Sequence, residues 1–137
     1  MAKRLGLISI LALAAVCGTP VSPCACEPQK THLIVYGAVQ TTAGAPVAGA
    51  RVLAVALPEG ATGYDPALAT ADAVDTTDSQ GLYRVHLLSF LAPVGPAEVR
   101  LAVVHAPADT VRVDAVGASL RNQREPADSL RVDVTMP

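Results

Sequence analysis

The chain has 137 residues, a net charge of −2 and 51% apolar side chains, with no Trp and Phe90 as its single Phe. That length suffices for one hydrophobic core but not two, and without a basic stripe the chain is poorly suited to nucleic acid. The abundance of Val and Ala, with few aromatic rings, favours strands and thin packing.

Met1-Ala2-Lys3-Arg4 opens the chain with a short basic stretch, and Leu5 to Val16 is apolar except for Gly6 and Ser9. This layout predicts a helical secretory signal over residues 1–18. The run is shorter than the roughly 20 apolar residues of a membrane span. Leu13-Ala14-Ala15-Val16-Cys17 resembles a bacterial lipobox, which would end the signal at residue 16 and make Cys17 the lipidated start of the mature chain. Val16 departs from the box, which has Gly, Ala or Ser at that position. Ordinary cleavage after Gly18 or Ala25 is the competing expectation. Loss of Lys3 and Arg4 would leave 8 basic against 12 acidic residues, a more acidic mature part.

Residues 19–31 form a Cys- and Pro-rich spacer. All three cysteines, Cys17, Cys24 and Cys26, precede the domain that follows, so none can staple it internally. In an exported setting Cys24 and Cys26 can form a local disulfide, stay reduced or pair between molecules. Their two sulfurs with His32 nearby match no zinc spacing.

Residues 32–137 read as a domain of alternating strands. Leu33 to Val39 is β-branched and aromatic enough for the first, and Thr41 to Pro46 is a turn. Ala50 to Leu57 is the second strand, with Ala50, Val52 and Ala54 on one face. A loop from Pro58 to Pro66 contains Tyr64, and Ala69 to Thr77 is a short third strand. Asp78-Ser79-Gln80-Gly81 is the strongest local signal: the Asp78 carboxylate can cap the turn and Gly81 suits its left-handed position. After it, Tyr83, Val85 and Leu87 alternate with polar neighbours. Val99, Leu101 and Val103 do the same, Val111 and Val113 point inward, and residues 117–128 read as a polar loop. Leu130, Val132, Val134 and Met136 close the chain. About seven short strands at near-regular spacing predict an all-β, antiparallel β-sandwich.

Three blocks carry a family resemblance: Gly37-Ala38-Val39; Gly44-Ala45-Pro46-Val47-Ala48-Gly49-Ala50-Arg51-Val52; and Thr76-Thr77-Asp78-Ser79-Gln80-Gly81-Leu82-Tyr83-Arg84-Val85. In this order they resemble the carboxypeptidase regulatory-like domain, over residues 33–104. The resemblance implies a seven-stranded transthyretin-like (prealbumin-like) sandwich. It implies no peptidase activity, since that domain is a non-catalytic appendage of certain carboxypeptidases. The same fold hosts a 5-hydroxyisourate hydrolase, but its C-terminal Tyr-Arg-Gly-Ser is replaced here by Val132-Asp133-Val134-Thr135-Met136-Pro137.

No catalytic, cofactor or metal site is expected. His32, His86 and His105 fall on three separate predicted strands without zinc-peptidase spacing. Ser79, Ser89, Ser119 and Ser129 lack a nucleophile-elbow sequence. Asp72, Asp75 and Asp78 fall short of a calcium-loop series. The expectation is a non-enzymatic module in the periplasm, at the cell surface or outside the cell, tethered through a Cys17 lipid or released. Its role would be structural or partner-binding, through loops at 58–68 and 117–128, with a protein or glycan partner. A carbohydrate-binding accessory module is the alternative, with Tyr64 as the candidate ligand-loop residue because sugar sites use aromatic platforms.

Overall fold

The computed structural model describes residues 30–62, 73–89, 92–106 and 109–137. The expected signal with Cys17, most of the spacer with Cys24 and Cys26, and Tyr64 lie outside the described residues. Those described are all-β, with eight strands: β1 (Thr31–Thr41), β2 (Arg51–Pro58), β3 (Ala73–Thr76), β4 (Leu82–Ser89), β5 (Gly95–Val104), β6 (Thr110–Asn122), β7 (Asp128–Arg131) and β8 (Val134–Met136).

The strand order β3-β2-β5-β6-β1-β4 wraps the sheet into a sandwich-like shell that nearly closes on itself. β6 turns the corner, since it pairs with β5 along most of its length and then with Thr31 and His32 of β1. At the remaining gap between β3 and β4, the Asp75 carboxylate accepts a 2.9 Å hydrogen bond from the Arg84 backbone N–H. A side chain thus covers part of the edge that an open sheet would leave bare.

The inward alternation expected from sequence appears in the burial. Ala50, Val52, Ala54, Tyr83, Val85, Leu87, Val99, Leu101 and Val103 are all buried in one core with Leu33, Val35 and Val39. Tyr83 is the only aromatic ring of that core among the described residues.

Two regions differ from the expectation. First, residues 117–122 are strand rather than loop. The register between β5 and β6 shifts at Ala97/Glu98, leaving Gly117 as the extra residue of a β-bulge. Val111, Val113 and Ala115 face the core before it, and Ala118 and Leu120 after it. The bulge reverses the odd–even parity, so a reading at strict period two loses the strand there. Second, the C-terminal segment is two strands, both parallel to β1. Inward burial persists through Val132, Val134 and Met136, but the ladder breaks at Val132 and Asp133.

The Asp78–Gly81 turn forms as its chemistry demands. Asp78 Oδ1 accepts from the backbone N–H groups of Gln80 at 2.8 Å and Leu82 at 2.9 Å. Gly81 has φ +74°, and a side chain there would collide with the Val39 carbonyl. Asp78→Ala removes both bonds and is expected to lower stability by about 1–2 kcal/mol. Chemical denaturation checks this, and an unchanged midpoint would show that the turn holds without its carboxylate. Thr77, beside it, is a buried brace missed at the sequence level. Its hydroxyl donates to the Val47 carbonyl at 2.7 Å and accepts from the Ala50 N–H at 2.9 Å.

Candidate functional site

With the odd-numbered residues of β1 packed inward, His32, Ile34, Tyr36 and Ala38 face out. Register places Ile34 opposite His86, Tyr36 opposite Arg84 and Ala38 opposite Leu82 on β4. On the other side, Ile34 lies opposite Ser129 and Tyr36 opposite Arg131 of β7. Tyr36 is therefore flanked across the sheet by an arginine on each side. Tyr36 is 40% exposed and Leu82 45%, so a small apolar patch sits within this cationic row. Arg131 is steadied by Asp133, with Nε 3.1 Å from Oδ2. Asp133 Oδ1 in turn accepts from the Ala38 N–H at 2.9 Å, which fills the ladder break. A phenol ring on a flat strand face between guanidinium groups offers an apolar surface for stacking and donors for acceptor oxygens.

At one end of this face His32 and His86 meet. His32 Nδ1 lies 3.0 Å from His86 Nε2, and His32 Nε2 lies 2.7 Å from the carbonyl oxygen of Glu125 in the turn after β6. A carbonyl only accepts, so Nε2 of His32 carries a proton and donates it to Glu125. In the neutral pair, Nδ1 of His32 then accepts from His86 Nε2–H. The rings are tilted by 47° with centroids 5.2 Å apart, so they converge through their nitrogens rather than stack. His32 is 7% exposed, whereas His86 is open to solvent. Antiparallel pairing of β1 with β4 makes them diagonal neighbours, since His32 lies opposite Leu88, two residues beyond His86.

Two other polar clusters serve the fold. Asp128 Oδ2 accepts from the Ser119 N–H at 3.0 Å and Oδ1 from the Ser129 N–H at 2.9 Å. These bonds, with a smaller contribution from the Arg121 charge, hold the Asp128 carboxyl below its ordinary pKa. The carboxylate ties β6 to β7 beside the outward face. On β5, Arg100 pairs with Glu98 at 3.1 Å, lies 3.9 Å from Asp114, and donates to the Ala61 carbonyl. That ties the chain after β2 to the sheet.

Of the three candidate histidines the structure brings two together, and His105 stays apart in the β5–β6 turn, its backbone N–H donating to the Asp109 carbonyl at 3.0 Å. Of the aspartate series, Asp75 bridges to β4 and Asp78 caps its turn, while Asp72 lies outside the described residues. Ser89 is buried and accepts from the Ala92 N–H at 3.1 Å. Among the described residues, no group of three or more His, Cys, Asp or Glu side chains converges as a metal cage would. Tyr36 belongs to the predicted first strand, Leu33 to Val39. Its outward parity was available from the alternation of Leu33, Val35 and Val39, but its arginine neighbours depend on strand pairing. No family model and no curated protein matches the chain.

Proposed function

We propose that this chain is an exported, non-enzymatic sandwich module that binds a partner at the cell envelope, with the transthyretin-like strand arrangement of carboxypeptidase regulatory-like domains. The observation that carries this reading is the role of the motif residues. Gly37 admits the Val132 carbonyl, Asp78 and Gly81 build a turn, and Tyr83 hydrogen-bonds inside the core. The recognisable residues thus serve the fold, and the outward row around Tyr36 is left to make contacts. A lipid on Cys17 would hold the module at a membrane, while cleavage after Gly18 or Ala25 would release it.

Photocrosslinking in intact cells tests the reading. A photoreactive residue at Tyr36 is expected to give a discrete adduct, and one at the exposed Val116 on β6 none. Absence of an adduct at position 36, or the same adduct at both, would remove the outward row as the contact surface.

A carbohydrate-binding accessory role is the second reading, favoured by the exposed Tyr36 ring with Arg84 and Arg131 beside it. Here Tyr36→Ala is expected to weaken glycan binding by about tenfold, the loss of one stacking ring. Tyr64→Ala tests the loop in the same assay. No response across a broad glycan panel would end this reading.

A further inference from the structure

We propose that His32 and His86 form a two-imidazole site for a divalent transition metal of the copper(II) or nickel(II) class. Two imidazole nitrogens bound in adjacent positions to one metal, each at about 2.0 Å, stand about 2.8 Å apart at a right angle and about 3.3 Å apart at a tetrahedral angle. The observed separation of His32 Nδ1 and His86 Nε2 is 3.0 Å. It lies between the two and nearer the right-angled case, the tetragonal geometry copper(II) and nickel(II) adopt.

The surroundings prepare the pair for this role. The Glu125 carbonyl holds the Nε2 proton of His32, which leaves a lone pair on Nδ1, the nitrogen nearest His86, as a supporting acceptor does for a metal-bound histidine. His86 is exposed, so its proton can move from Nε2 to Nδ1 and meet solvent there. Both facing nitrogens then present lone pairs, with no net proton lost. Turning the exposed ring about its last torsion, which is soft, moves its nitrogen off the hydrogen-bond line so that both lone pairs can meet at one metal. Water fills the remaining positions on the solvent side.

Charge selects the class of metal. Arg121 lies opposite His32 on β6, and Arg84 is two residues from His86 on the same face of β4. These cations oppose an ion held by charge alone, such as magnesium or calcium. They leave a metal that binds through imidazole lone pairs, for which copper(II) stands highest in the affinity order.

The test uses the full chain with its thiols alkylated, titrated with copper(II). Substoichiometric metal is expected to broaden the ring resonances of His32 and His86 in NMR spectra and leave His105 sharp. Electron paramagnetic resonance should show two imidazole nitrogens. His86→Ala, at an exposed position and so compatible with folding, is expected to weaken binding by about tenfold or more through loss of the chelate, whereas His105→Ala leaves it unchanged. Binding retained in full by His86→Ala, equal broadening of all three histidines, or no binding at micromolar metal would each overturn the proposal.

Discussion

Gly37→Ala is expected to lower the stability of the domain by about 3–5 kcal/mol, a large share of what a domain of this size possesses. A Cβ at position 37 would lie almost on the carbonyl oxygen of Val132, with the Val132 carbonyl carbon and Asp133 Oδ1 close behind. Two of those three atoms are backbone, and they cannot swing aside as the end of a long side chain can. The clash would push the C-terminal segment off β1. That segment runs parallel to β1 through Leu33–Tyr36 and Val39–Thr41, and the Val132 N–H donates to the Tyr36 carbonyl at 2.8 Å between the two ladders. Val132, Val134 and Met136 would lose their place in the core together. Urea unfolding checks the magnitude, with Ala38→Gly next door as a control expected to cost about 1 kcal/mol. Native-state hydrogen exchange should show the backbone of Val134–Met136 opening before the rest. A midpoint no lower than that of the control would mean that the C-terminal strands do not press on Gly37.

The same region shows how far the sequence could be read. Alternation identified which side of each strand is buried, because side-chain parity is local: Tyr83, Val85 and Leu87 face inward whatever their strand pairs with. Asp78 and Gly81 were legible for the same reason, since a turn is closed by residues a few positions apart. Pairing is not local. Nothing in Leu130–Met136 marks it as parallel to β1, a strand almost a hundred residues earlier. The reach of β6 past Gly117 was hidden by its bulge, which flips parity just where polar Arg121 and Asn122 suggest a loop. The His32–His86 contact needed both the β1–β4 pairing and its register, because a shift of one residue would put His86 on the other face. The turns and the core faces were therefore open to reading from sequence, and the outward row, assembled from three strands, was not.

Tyr83→Phe is expected to cost about 1–3 kcal/mol near neutral pH and to change the alkaline behaviour of the domain. The Tyr83 hydroxyl donates to the Val132 carbonyl at 2.6 Å inside the core, at the break between β7 and β8. Phe keeps the ring and its packing but leaves that carbonyl without this donor. The phenol is pushed well above its ordinary pKa of 10.0, first by burial and second by the negative charge of Asp133. In the unfolded chain the phenol loses its proton near that ordinary value, while the folded chain keeps it. The stabilisation linked to Tyr83 is therefore complete below about pH 10 and declines as pH rises beyond it, by at most about 1.4 kcal/mol per pH unit. Phe has no proton to lose, so the variant lacks this contribution to the decline. Urea midpoints of both proteins from neutral to strongly alkaline pH isolate it, since every other titrating group is common to the two. The curves should converge above pH 10 as the native protein loses its advantage. Curves that stay parallel would show that Tyr83 ionises as easily in the folded domain as in the unfolded chain, and curves that coincide throughout would show that the Val132 carbonyl does not depend on it.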